Sequence, residues 1–224
     1  VACISVIRIL YGGTFDPVHD GHLAVADVAS VVFDADVSLL PSADPPHRAP
    51  PGASAEQRAA MLDLAVAGHE RLHVDLRELQ RAGPSYTVDT LRLVRDEIGP
   101  SAPLAWMLGA DAFRDLHRWH RWRDLFGLAH LIVAVRPGHT LDALDPELHI
   151  EAATRWANHP AELEQVAGGL LFQLVFTLRR EAASGVRGRI AARLPWEDEV
   201  PPAVAAYIRA HGLYSGPETS PPRA

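Results

Sequence analysis

An apolar run from Ile4 to Leu10 leads into Tyr11-Gly12-Gly13-Thr14-Phe15-Asp16-Pro17-Val18-His19-Asp20-Gly21-His22-Leu23, and a helical pattern follows from His22 to Val32. Strand, glycine-rich turn and helix, in that order, constrain the fold more than anything else in the chain. This is the opening unit of a parallel α/β sheet, with its turn at the carboxyl end of the first strand. It sets two imidazoles and several backbone N–H groups at a helix N-terminus, where phosphate binds well. The turn is neither of the two common nucleotide fingerprints, because GxxxxGK[ST] and GxGxxG are both absent. Neither kinase-type chemistry nor hydride transfer follows from it.

Apolar runs continue to alternate with helical patterns, which predicts a mostly parallel sheet covered on both faces, a doubly wound Rossmann-like α/β fold. The predicted strands are Ile4–Tyr11, Val37–Pro41, Leu72–Asp75, Leu104–Leu108, Leu131–Val135 and Leu170–Phe176. Helices are predicted from His22, over Ala55–Ala67 with Ser54 and Gln57 as a capping box, over Thr87–Ile98, and over Pro202–His211. Short helical turns fill Asp111 to Phe126, and some helix is expected between Leu141 and Ala167. We expect one domain over residues 1–214, with a small helical part from about 180 to 214 and a flexible tail at 215–224.

Hydrophobic residues make up 48% of the 224, enough for a sizeable core, and the formal charge is -7, which weighs against a nucleic-acid grip. A polyphosphate needs only a local positive field. The single cysteine, Cys3, excludes an internal disulfide and a cysteine-rich zinc site. No signal peptide and no bilayer-spanning apolar segment is evident, so a soluble, cytoplasmic protein is expected.

Ligands of open parallel sheets bind beyond the carboxyl ends of the strands, where four polar segments converge: Gly12–His22, Pro41–Pro51, Gly109–Asp111 and Arg136–Thr140. His19 and His22 can face one anion, or can merely cap a helix; they are too few for a protein zinc site. Paired Gly12 and Gly13 would let a ligand approach the backbone. Pro45-Pro46-His47-Arg48 presents adjacent donor groups on a stiff loop. In Ser85-Tyr86-Thr87, a hydroxyl could cap the third helix and Tyr86 could pack in the core. Asp111 suits Mg²⁺ or a ribose hydroxyl, and equally a helical cap. Trp119 and Trp122 lie in a basic stretch, where one ring could stack on a heterocycle and the other belong to the core. Ser184 and Arg187, with Arg189 nearby, could clamp a phosphate. No covalent intermediate is expected; the site reads as positioning plus charge stabilisation, the needs of phosphoryl-type transfer.

Together these segments resemble the bacterial nicotinate mononucleotide adenylyltransferases, members of the nucleotidyltransferase superfamily with the HxGH signature. The resemblance is carried by Gly12 to His22, Pro45 to Arg48, Pro84 to Leu91, Gly109-Ala110-Asp111, Trp119, Ala129 to Gly138, Tyr207-Ile208 and Gly212-Leu213-Tyr214. It implies transfer of AMP from ATP to nicotinate mononucleotide in NAD biosynthesis, by direct in-line attack. Deamido-NAD and pyrophosphate are the products, and Mg²⁺ arrives mainly on the ATP phosphates rather than on protein ligands. It further implies His19, His22 and Arg187 as catalytic groups. Gly12, Gly13, Thr14, Phe15, Gly109, Asp111, Arg136 and Ser184 would complete the ATP site. Asp16, His47, Arg48, Tyr86, Thr87 and Trp119 would serve the mononucleotide, with Trp119 on its ring and Asp16 ordering the turn. A monomer or homodimer is expected.

The late phosphate-binding motif departs from the family. Where relatives usually read Ile-Ser-Ser-Thr or Ile-Ser-Ala-Thr, then two residues and Arg, this chain reads Glu181-Ala182-Ala183-Ser184-Gly185-Val186-Arg187. The first serine is replaced by Ala182, which removes one hydroxyl donor.

Overall fold

The computed structural model describes residues 6–43, 52–81, 83, 85–135, 140–141, 144–176 and 182–215. Among these residues six strands form one parallel sheet: β1 (Arg8–Gly13), β2 (Val37–Pro41), β3 (Leu72–Val74), β4 (Leu104–Gly109), β5 (His130–Val135) and β6 (Leu171–Val175). Their spatial order is β3-β2-β1-β4-β5-β6, so the direction of winding reverses between β1 and β4. That reversal opens a crevice at the carboxyl ends of those two strands.

Alternation along the strands supplies two cores. Ile9 and Tyr11 of β1, Leu39 of β2, Met107 of β4 and Ile132 of β5 face one side. There they meet α1 (Asp20–Val32), α2 (Ala55–Val66), α7 (Ala183–Ala191) and α8 (Pro202–Ala210). Leu10, Leu40, Trp106, Leu108 and Val133 face the other side, against α3 (Thr87–Ile98), α4 (Ala110–Arg114), α5 (Leu125–Leu128) and α6 (Pro146–Ala152). Both faces of every central strand are dry, which explains the nearly unbroken apolar runs in β4 and β5.

Ser54 caps α2 as the sequence predicts, accepting from the Gln57 N–H at 3.2 Å while Gln57 Oε1 accepts from the Ser54 N–H at 2.9 Å. Gly99 ends α3 at φ 83°. Two element starts differ from expectation by more than one residue. β1 starts at Arg8, where pairing with Leu104 begins, and runs on through both glycines; Ile4, its expected start, lies outside the described residues. α1 starts at Asp20, two positions early, because His19 serves as its N-cap. α7 is a distinct helix within the expected C-terminal helical part. No helix among the described residues is long and apolar enough to cross a membrane.

Candidate active site

The turn after β1 is shaped by packing. A Cβ on Gly12 would lie 2.0 Å from Cζ2 of Trp106, and one on Gly13 would lie 2.9 Å from Cζ of Phe15. The glycines are therefore required by an indole beneath the strand and a benzyl ring above it, a constraint different from the ligand approach expected of them. Phe15 adopts a left-handed backbone at φ 49°, a conformation that costs a non-glycine residue about 1–2 kcal/mol. Its ring is fixed by edge contacts with Tyr11 at 5.5 Å and His22 at 5.0 Å. A cis peptide joins Asp16 to Pro17.

From this turn the chain enters α1 with His19 as N-cap. The His19 and His22 rings stack at 3.7 Å between centroids, and the His19 N–H donates to His22 Nδ1 at 3.3 Å. That bond leaves Nδ1 of His22 as an acceptor and assigns the ring proton to Nε2. Burial, then the neighbouring His19, holds the His22 pKa well below the usual histidine value. Neutral His22 is thus a donor of fixed direction, beside the orphan N–H groups of the first helical turn.

Two side chains brace the turn from outside. Arg58, on α2, is 1% exposed and donates through Nη1 to the carbonyls of Thr14 at 2.8 Å and Ser42 at 2.7 Å, and through Nη2 to that of Ala43 at 3.0 Å. Asp16 is 5% exposed, and its carboxylate accepts from the N–H groups of Gly52 at 2.8 Å and Ala53 at 3.1 Å and from the Tyr214 hydroxyl at 2.8 Å. Sequence reasoning passed over Arg58. Its only sequence signal is a lone arginine on the apolar side of α2, between Ala55 and Met61.

Other candidate residues distribute as follows. Arg187 Nη1 donates to the Asp16 carbonyl at 2.6 Å, which brings α7 against the turn. Neither Ser85 nor Thr87 caps α3, whose N-cap is Tyr86; Ser85 Oγ instead accepts from the Ala43 N–H at 3.2 Å. Thr87 opens α3, and Tyr86 lies 4.5 Å from the His120 ring. Tyr86 and Trp119 are half-buried against the same apolar cluster, whereas Trp122 belongs to the core. The basic stretch around them is a solvated face, with Arg118 paired to Asp115, Arg121 to Asp124 and Arg123 to Glu147. Gly109 closes β4 as N-cap of α4, and the Asp111 side chain is exposed, bonded to Arg114 at 2.6 Å rather than capping that helix. Ser184 is exposed on the first turn of α7. His47, Arg48 and Arg136 lie outside the described residues. No group of three or more His, Cys, Asp or Glu side chains among the described residues is placed to hold a metal ion.

Residues 10–187 match the family model described as cytidylyltransferase-like. The chain is 54% identical over 217 residues to a protein of Stenotrophomonas maltophilia named probable nicotinate-nucleotide adenylyltransferase, covering 94% of this chain and 98% of that one. A protein of Xylella fastidiosa with the same name is 49% identical over 213 residues, 93% of this chain and 96% of that one.

The chain belongs to the nicotinate-nucleotide adenylyltransferase family.

The fold agrees with solved structures. A Plasmodium falciparum nicotinic acid mononucleotide adenylyltransferase complexed with NaAD superposes with a TM-score of 0.69 at 16% identity, over 93% of this chain and 97% of that one. The crystal structure of a protein of Vibrio parahaemolyticus named putative nicotinate-nucleotide adenylyltransferase gives 0.62 at 15% identity, over 94% of this chain and 96% of that one. The departure in the late motif has a plain structural consequence. Ala182 is the N-cap of α7, at φ -140° and ψ 138°, with no side-chain hydrogen bond to the helix. A serine there would supply both a cap and a hydroxyl.

Proposed function

We propose that this protein transfers the adenylyl group of ATP to nicotinate mononucleotide, giving nicotinate adenine dinucleotide and pyrophosphate. The observation that carries the reading is the stacked His19–His22 pair at the N-terminus of α1, on a braced glycine turn beside the β1/β4 crevice. The curated relatives that bear this activity in their names support it.

A phosphate oxygen of the mononucleotide attacks the α-phosphorus of ATP. The bond from that phosphorus to the bridging oxygen breaks, and pyrophosphate carries the electron pair away. His22, neutral and directed by its Nδ1 bond, donates Nε2–H to phosphate oxygens, and His19 shares the same anion. The helix N-terminus and the turn's backbone add fixed positive potential where charge develops. Arg187, held against Asp16, offers its remaining guanidinium donors to the departing phosphates, with Ser184 at the start of the same helix. Asp111 and Gly109 border the nucleotide across the crevice. Thr87, Tyr86 and Trp119 form the acceptor side, with the indole stacking on the pyridine ring.

Imidazoles, guanidinium and backbone N–H groups suit phosphate oxygens rather than a cation, so Mg²⁺ enters as MgATP and neutralises the triphosphate. The deciding experiment is pyrophosphate release with MgATP and, in turn, nicotinate mononucleotide, nicotinamide mononucleotide or phosphopantetheine. Strong preference for the first is expected. Preference for another acceptor would keep the chemistry and overturn the substrate.

A further inference from the structure

The ending Gly212-Leu213-Tyr214 has no part in the scheme above, yet its last side chain reaches the glycine turn. After α8 the chain turns back through Gly212 at φ 58° and Tyr214 at φ 62°, with Leu213 buried in the core between them. The Tyr214 ring lies over Gly52, so closely that a Cβ there would stand 3.0 Å from its Cδ1 and Cε1. Its hydroxyl donates to Asp16 Oδ1 at 2.8 Å.

Asp16 is where the supports of the turn converge. Besides Tyr214, it receives Gly52 and Ala53 from the segment leading into α2, and Arg187 from α7 through both its carbonyl at 2.6 Å and, more distantly, Oδ2 at 3.6 Å. Three positions further on stands His19. A carboxylate so enclosed is satisfied by protein donors, which supports the role of ordering the turn that the resemblance implies for Asp16. Burial first, then the hydrogen bond to Asp16, pushes the Tyr214 hydroxyl far above its ordinary pKa, so it remains a donor at every working pH.

We propose that Tyr214 is a positioning residue for adenylyl transfer: through Asp16 it fixes the turn that aims His19 and His22. The inference rests on the adenylyltransferase reading, since aim matters only if those rings meet a transition state. A small displacement of a donor that acts at the transition state lowers kcat more than it weakens ground-state binding.

The test is Tyr214→Phe in the full chain, with Tyr207→Phe on α8 as a control tyrosine stacked on His211. Kinetics are read alongside thermal midpoints and the ring resonances of His19 and His22 in ligand-free protein. We expect kcat to fall about tenfold or more, with both KM values within threefold. The midpoint should hold within about 3 °C, and the His22 resonances should move. The control should match wild type. On an Asp16→Asn background the same change should cost far less, because the two residues act in series. A kcat within twofold of wild type, or a KM effect with kcat intact, would overturn the inference. Wild type inactive with nicotinate mononucleotide would sink the functional reading instead; the histidine resonances, read without substrate, would still decide whether Tyr214 sets the turn.

Discussion

Arg58 reaches the Thr14 carbonyl at 2.8 Å from 44 residues further along the chain, and the same Nη1 also donates to Ser42 at 2.7 Å. One buried guanidinium thus ties the loop after β1 to the loop after β2, at the carboxyl ends of both strands. Replacement by lysine leaves a single ammonium to serve three carbonyls. Each buried carbonyl left unpaired costs about 1–3 kcal/mol. Arg58→Lys should therefore lose about 3 kcal/mol, roughly 10 °C in thermal midpoint, and lower kcat at temperatures where it remains folded. Unchanged kcat in the folded variant would make Arg58 a stabiliser with no hold on the chemistry.

The histidines should be visible in kcat. Removing one donor aimed at developing charge typically costs about 10²–10³ in rate, and we expect this for His19→Ala and for His22→Ala, with modest changes in KM. The lowered pKa of His22 keeps it neutral as pH falls from 8 through 6.5. A wild-type kcat/KM profile flat over that span is expected, its acid limb appearing only below. An activity that declines as pH rises through 6.5 would mean that a protonated ring is the working form.

His130 gives the fold a sensitivity to acid that is separate from catalysis. Fully buried in β5, it makes two bonds, Nε2 to the Val166 carbonyl at 2.9 Å and Nδ1 from the Leu170 N–H at 3.1 Å. Burial lowers its pKa, so the unfolded chain takes up a proton near pH 6.5 and the native chain only at lower pH. Stability is then full above 6.5 and falls as pH drops below it, by at most about 1.4 kcal/mol per pH unit from this one group. Urea midpoints between pH 7 and pH 5 should show that slope in wild type and a shallower one in His130→Gln. Equal slopes would assign the acid sensitivity elsewhere.

Ala182→Ser should strengthen the late segment. The residue already has the extended conformation of an N-cap, so a hydroxyl can accept from the next turn without rearrangement. The gain should be about 1 kcal/mol, or roughly 2–4 °C. A rise in kcat with no change in midpoint would instead give the new hydroxyl to the phosphates.

Most of the sheet could be read from the sequence because its central strands are buried on both faces and so appear as apolar runs. The Ser54–Gln57 box and Gly99 mark helix ends by short-range chemistry that needs no tertiary context. α7 did not stand out, because Gly185 and Gly188 lower its propensity and Ala182 gives no capping signal; it is held by Val186 in the core and Arg187 on Asp16. The reason for Gly12 was hidden for a similar cause. It depends on Trp106, a residue of β4, which sequence cannot place beneath β1 before the strand order is known. Asp16 and Arg58 illustrate the same limit. Each works through backbone groups of distant segments, and backbone groups leave no trace in residue identity.

The bond from Tyr214 to Asp16 spans 198 residues. The glycine turn is made long before the tyrosine that secures it, so it waits for that support while the intervening strands and helices are synthesised. Contacts of such long sequence separation also form slowly in refolding, after local helices are in place. A chain that stops short of Tyr214 can therefore carry the glycine turn and both of its histidines without the hydroxyl that secures Asp16.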